Sequence, residues 1–134
     1  MRVFIALSVI VVTLVALSAW GSTSVAAAPN GKAIYNDKCS SCHQPAGQGV
    51  PSAFPPLAGN PSVVAKNPTP VIKTVLNGLN TPITVKGQKF SGGMPAWKGQ
   101  LSNAEVAAVI TYIRSAWGNK ASAVTEKQVA AAAK

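Results

Sequence analysis

Five consecutive residues, Cys39-Ser40-Ser41-Cys42-His43, constrain this chain more than anything else in it. A C-x-x-C-H run is the attachment pattern for a c-type haem. Two thiols can add across the two vinyl groups of a porphyrin, giving two thioether bonds. Two intervening residues set the sulfurs at a separation that spans one porphyrin edge. The histidine follows at once, so its imidazole can turn onto the iron from the same side. Cys39 and Cys42 are the only cysteines and His43 is the only histidine of the 134 residues. Other readings of the pair are weaker. A thioredoxin-like dithiol wants a βαβ context and has no need of the histidine. A closed structural zinc site takes four ligands, and the chain has only three Cys and His together. A plain disulfide suits an exported protein, but it leaves His43 without a task.

Export is written into the first residues. Arg2 is a minimal positive start, and Val3 to Ala19 is apolar except for Ser8, Thr13 and Ser18. Small residues follow from Ser22 to Ala28. This is the pattern of a secretory signal, residues 1–26, with Ser24-Val25-Ala26 before the cut and Val25-Ala26-Ala27 as a variant shifted by one residue. The alternative is an uncleaved anchor, since Val3 to Trp20 reaches the ~18 residues at which a spanning helix begins. Formal net charge is +9. A basic exported chain points to acidic partners or an anionic membrane surface; no nucleic-acid motif is present. Asp37, Glu105 and Glu126 are the only carboxylates and have no paired spacing, so acid–base catalysis has no candidate.

After the export signal, Asn30 to Lys38 reads as a short helix with Asn30 as its cap, leading straight into Cys39. Gln44 to Pro51 is rich in breakers and reads as loop. Phe54-Pro55-Pro56-Leu57-Ala58-Gly59-Asn60 comes next, then a helical turn or two over Pro61 to Lys66. Thr69 reads as the cap of another helix with Pro70 at its first position. Val71, Ile72, Val75, Leu76 and Leu79 give that helix an apolar face, and Gly78 weakens its end. Ile83 and Val85 alternate with polar residues, and Lys86-Gly87 suits a small hairpin. Ser102-x-x-Glu105 is a capping box. Val106, Val109, Ile110, Ile113 and Trp117 fall on one face of the helix it starts, and Gly118 should end that helix as its C′ residue. The alanine-rich tail, 119–134, has a second capping pattern at Thr125-x-x-Gln128. Only Val124 and Val129 are there to pack, so a loosely docked or mobile end is expected.

The order C-x-x-C-H, glycine-rich loop, Pro-Pro-Leu-x-Gly, then Gly92-Gly93-Met94-Pro95 before the last helix resembles the class I cytochromes c. The resemblance covers nearly all of residues 30–118. It is nearest to small bacterial monohaem cytochromes and to haem domains of dehydrogenase cytochrome subunits, the latter through Tyr112-Ile113-Arg114-Ser115-Ala116-Trp117-Gly118-Asn119. It implies an all-α fold, with about four short helices wrapped around one covalent haem c over residues 27–118. It also implies that a proline carbonyl accepts the Nδ1–H of His43: Pro55 by position, with Pro56 as the neighbouring alternative. Leu57 then walls the porphyrin, and Trp97 packs near it. Met94, the only methionine besides the initiator, becomes the second iron ligand beside His43. The first and last helices should cross, with Gly31 and Tyr35 against the Val109 to Ile113 region.

A site closed by His43 and Met94 leaves outer-sphere electron transfer as the remaining chemistry, at a comparatively high potential. The expected protein is a periplasmic, monomeric one-electron carrier between a dehydrogenase or bc-type donor and a terminal oxidase or reductase. The runner-up is a haem subunit of a dehydrogenase or oxidase complex. A sensor or peroxidase-like enzyme follows only if Met94 is off the iron. Lys38 and Lys98, with Lys86 and Lys89, are expected to rim the haem edge and steer acidic redox partners, with association at the membrane as a further option.

Overall fold

A computed structural model describes residues 27–134; the export-signal reading of 1–26 lies outside the described residues. Among these residues the chain forms six helices and one hairpin. The helices are α1 (Gly31–Lys38), α2 (Ser40–His43), α3 (Pro61–Val64), α4 (Thr69–Asn77), α5 (Asn103–Ser115) and α6 (Glu126–Ala132), and strands β1 (Ile83–Val85) and β2 (Gln88–Phe90) lie between α4 and α5. Six exceeds the expected four by two: the single turn α2, and α6 in the tail.

α1 starts where its cap predicts: the Asn30 Oδ1 accepts the Ala33 N–H at 3.1 Å. The helix packs across α5. At Gly31 a Cβ would stand 2.1 Å from the Ala108 carbonyl oxygen and 3.1 Å from the Tyr112 Cβ. Only glycine lets the two backbones come that close. The contact sits slightly N-terminal of the expected Val109–Ile113 region, while Tyr35 meets Tyr112 at 5.5 Å and Trp117 at 4.9 Å between ring centroids. Tyr35 is fully buried, and its hydroxyl donates to the Gln44 carbonyl at 2.6 Å.

α5 has the predicted capping box, with Ser102 and Glu105 bonded in both directions. Val106, Val109, Ile110 and Ile113 are buried on one face. The helix stops at Ser115, however, earlier than expected. Asn119 explains this: its buried side chain donates to the Ile113 carbonyl at 2.8 Å and to the Leu57 carbonyl at 3.1 Å. It thereby satisfies an orphan carbonyl of the helix end. Trp117 then takes a positive φ of 53° and leaves the helical face. Its indole turns back to donate to the Pro45 carbonyl at 3.2 Å.

α4 begins one residue from its expected register. Thr69 is its first residue rather than its cap, and the Asn67 Oδ1 accepts the Thr69 N–H at 3.0 Å instead. The hairpin pairs Ile83 with Phe90 and Val85 with Gln88. Its turn, Lys86-Gly87, has φ of 50° and 80°, the two positive values of a type I′ turn.

The tail does not stand off. Val124 and Val129 are buried in the same core as Ile72, Val75, Leu76, Val106 and Ile110. α6 packs on both α4 and α5. The Thr111 hydroxyl exchanges bonds with the Val124 N–H and carbonyl. Large side chains are few in the tail, but each lands in a prepared slot.

Arg114 is fully buried on α5. Its guanidinium donates to the carbonyls of Val63 (2.5 Å), Ala65 (3.0 Å) and Ser122 (2.9 Å), joining α3, α5 and the tail, while its Nη2 has no partner. Burial pulls its pKa below the ordinary arginine value. A guanidinium suits this position because it carries five donors in a fixed fork.

Candidate functional site

The chain from Tyr35 to Leu57 builds the first wall. The Cys39 N–H ends α1 by bonding the Tyr35 carbonyl at 2.9 Å, and α2 then carries Cys42 and His43. Both cysteines are half-buried and form no disulfide with each other. The loop after α2 folds back through bonds from the Gly49 N–H to the His43 carbonyl (2.9 Å) and from the Leu57 N–H to the Gly47 carbonyl (2.7 Å). At Gly49, φ is 69° and a Cβ would stand 2.7 Å from the Pro55 carbonyl oxygen. This close approach holds Pro55 beside the histidine.

His43 is buried at 8% exposure, and its Nδ1 lies 3.0 Å from the Pro55 carbonyl. A carbonyl can only accept, so Nδ1 carries the proton and Nε2 keeps its lone pair. Burial pushes the imidazole pKa down, partly offset by the bond to Pro55. The side chain is therefore a neutral, oriented donor. Pro56 is not the acceptor for His43; its carbonyl takes the Asn60 amide at 2.8 Å.

Met94 is held by backbone pairing. Its N–H bonds the Leu79 carbonyl at 2.8 Å and its carbonyl accepts the Leu79 N–H at 2.9 Å. The Trp97 and Lys98 N–H groups bond the carbonyls of Val75 and Leu76 on α4. Gly78, at φ 71°, permits the approach, because a Cβ there would stand 2.4 Å from the Met94 carbonyl oxygen.

Cys39, Cys42, His43, Pro55, Leu57, Met94 and Trp97 all line one cavity of about 730 Å³. That volume lies within the ~300–1,000 Å³ usual for ligand and cofactor sites. Phe54, Val71, Val75, Val85, Phe90, Val109 and Ile113 complete its walls. These apolar residues were legible only as core. The faces of α4 and α5 are shared between the core and the cavity, and periodicity alone cannot divide them.

The donors suit a porphyrin iron. One wall carries two thiols and a neutral imidazole, and a soft thioether reaches the same cavity. A dithiol reading fits poorly, because burial, reinforced by Cys42, pushes the Cys39 thiol up to about 11, whereas reactive dithiols hold a depressed value. Among the described residues no group of three His, Cys, Asp or Glu side chains is placed to hold a metal ion unaided, which leaves the zinc reading without support.

The cytochrome c family model matches residues 28–117. The chain belongs to the cytochrome c family. Cytochrome c-552 of Thermus thermophilus is 43% identical over 110 residues, covering 80% of this chain and 72% of that protein. The cytochrome c subunit of a quinone alcohol dehydrogenase from Gluconacetobacter polyoxogenes is 40% identical over 91 residues, 68% of this chain but 19% of the subunit. The cbb3-type cytochrome c oxidase subunit CcoP of Azospirillum brasilense is 28% identical over 104 residues, 74% of this chain and 32% of that subunit. As a member of the family, this cytochrome carries covalent haem c and transfers electrons, and Cys39 and Cys42 are the thiol pair available for attachment.

The lysines divide. Lys38 lines the cavity, beside Asp37 at 2.9 Å. Lys86 and Lys89 are exposed on the hairpin. Lys98 does not line the cavity; its ammonium donates to the Ala133 carbonyl at 2.7 Å, at the C-terminal end of α6. No described helix is long and apolar enough to cross a membrane.

Proposed function

We propose that this cytochrome is a periplasmic one-electron carrier whose iron is held by His43 and Met94. Haem c supplies a one-electron ferric/ferrous couple. Cys39 and Cys42 would hold it through thioether bonds made by adding their S–H groups across its vinyl groups. His43 would hold the iron through Nε2, the nitrogen that its bond to Pro55 leaves free. Met94 would supply a thioether, a donor that favours ferrous iron. Leu57, Val75, Val109 and Ile113 exclude water. With His43 and Met94 both holding the iron, the chain would leave no position for a substrate, which favours a carrier over a sensor or peroxidase.

The observation that carries this reading is the convergence of His43, its Pro55 partner, both thiols and Met94 on one apolar cavity. Support for the compartment is the signal-like composition of residues 1–26. Exposed Lys38, Lys86 and Lys89 favour acidic redox partners, a donor dehydrogenase or bc-type complex and an acceptor oxidase. A second reading, a haem module within a larger dehydrogenase or oxidase complex, draws on the alcohol dehydrogenase and oxidase relatives. Voltammetry of the purified protein separates carrier from enzyme. One reversible one-electron wave, unchanged by hydrogen peroxide, is expected; a catalytic peroxide current would overturn the carrier reading. Copurification with a dehydrogenase in stoichiometric amount would favour the second.

A further inference from the structure

The family match ends at residue 117, yet the chain beyond it is tied to the loop that presents Met94. Val129 on α6 is fully buried, and α6 packs against α4. The carbonyls of Val75 and Leu76 on α4 in turn hold the Trp97 and Lys98 N–H groups. A second link is direct: the Lys98 ammonium reaches the Ala133 carbonyl across 35 residues of sequence. That carbonyl lies at the C-cap of α6, where carbonyls lack helical partners and the dipole favours a cation. So α6 reaches the C-terminal end of Met94–Lys98 by two routes, through α4 behind Trp97 and Lys98 and through the Lys98 side chain itself.

We infer that α6 is a brace for the sixth ligand, and that Lys98 is a positioning residue acting on Met94 through the loop between them. This rests on Met94 ligating the iron. The lysine's task is then internal rather than docking. Loss of the brace frees the loop to swing, so an outside ligand displaces Met94 at lower concentration, with little change in the fold.

Imidazole titration of the oxidised holoprotein tests this, followed by the far-red sulfur-to-iron band at 25 °C. Lys98→Met keeps the apolar stem and removes the donor; Lys98→Arg keeps a donor. Half-displacement of the band by imidazole should need roughly three- to tenfold less imidazole in Lys98→Met, the scale of one ordinary exposed hydrogen bond. Lys98→Arg should stay within about twofold of the parent. Val129→Ala should shift the same way as Lys98→Met, by loosening α6 at its core contact. A Lys98→Met titration that overlays the parent overturns the brace, whatever happens to its melting temperature. A parent protein without the band overturns the Met94 assignment and the brace with it. A parent with the band and unshifted variants overturns the brace alone.

Discussion

A methyl group at residue 78 probes how Met94 is held. Gly78 has φ 71°, and a Cβ would meet the Met94 carbonyl oxygen at 2.4 Å. Gly78→Ala should therefore cost about 2–3 kcal/mol in denaturant unfolding, from left-handed strain plus the displaced strand pairing. It should also weaken the sulfur-to-iron band in protein that is still folded; an unaltered band would mean that the Leu79–Met94 pairing does not position the sulfur. The chemistry-bearing residues were the most legible part of the chain. Cys39, Cys42, His43 and Met94 are rare residue types here, and each carries its reactivity with it. Pro55 was separable from Pro56 only by resemblance, because two adjacent carbonyls look alike until the Asn60 amide is seen to occupy one. The bond from Lys98 to Ala133 was not legible, since nothing local announces it.

Elements were legible where a cap and a period agreed. Ser102 and Glu105 started α5 as expected. The bonds from the Ser102 N–H and hydroxyl hold the Glu105 carboxyl below its ordinary 4.5. In the unfolded chain those bonds are absent. The unfolded state thus binds the proton more readily, and the stabilisation is complete above pH 4.5 and lost as pH falls through the lower folded value. Glu105→Gln should accordingly be less stable than the parent at pH 7, with the gap closing below about pH 4.5 in acid unfolding curves. A constant gap would remove charge from the cap's contribution. The end of α5 was not legible, because Asn119 terminates it from outside the helix. Arg114 was equally hidden: its place on the helix gives no sign that three carbonyls of two other segments await it. Arg114→Lys keeps the charge but loses the fork, and should cost about 2–4 kcal/mol by thermal or chemical unfolding. A loss under 1 kcal/mol would show that water replaces those bonds.

At the scale of the molecule, core and cofactor site are one construction. Tyr35, Val75, Val109 and Ile113 belong to the packed interior, and the last three also wall the cavity. A chain this small buries little on its own, so an apolar porphyrin completes what the side chains begin. The overall fold was legible through the family resemblance that its motifs carry, but the docking of the tail was not. Two valines gave a weak signal, and the partners of Val124 and Val129 lie on α4 and α5, far away in sequence. With ten lysines against three carboxylates, association with an acidic redox partner should slow as ionic strength rises and the screening length shrinks to about 8 Å at physiological salt. Stopped-flow rates that stay flat between low and high salt would exclude steering by Lys38, Lys86 and Lys89.

A haem iron closed by His43 and Met94 leaves its signature in the visible spectrum, recorded oxidised and reduced, with and without carbon monoxide. Low-spin bands are expected in both states, with a far-red sulfur-to-iron band in the oxidised protein and a reduced spectrum that carbon monoxide leaves unmoved. A high-spin spectrum, or ready carbon monoxide binding by the parent protein, would mean an open position and would contradict that closure.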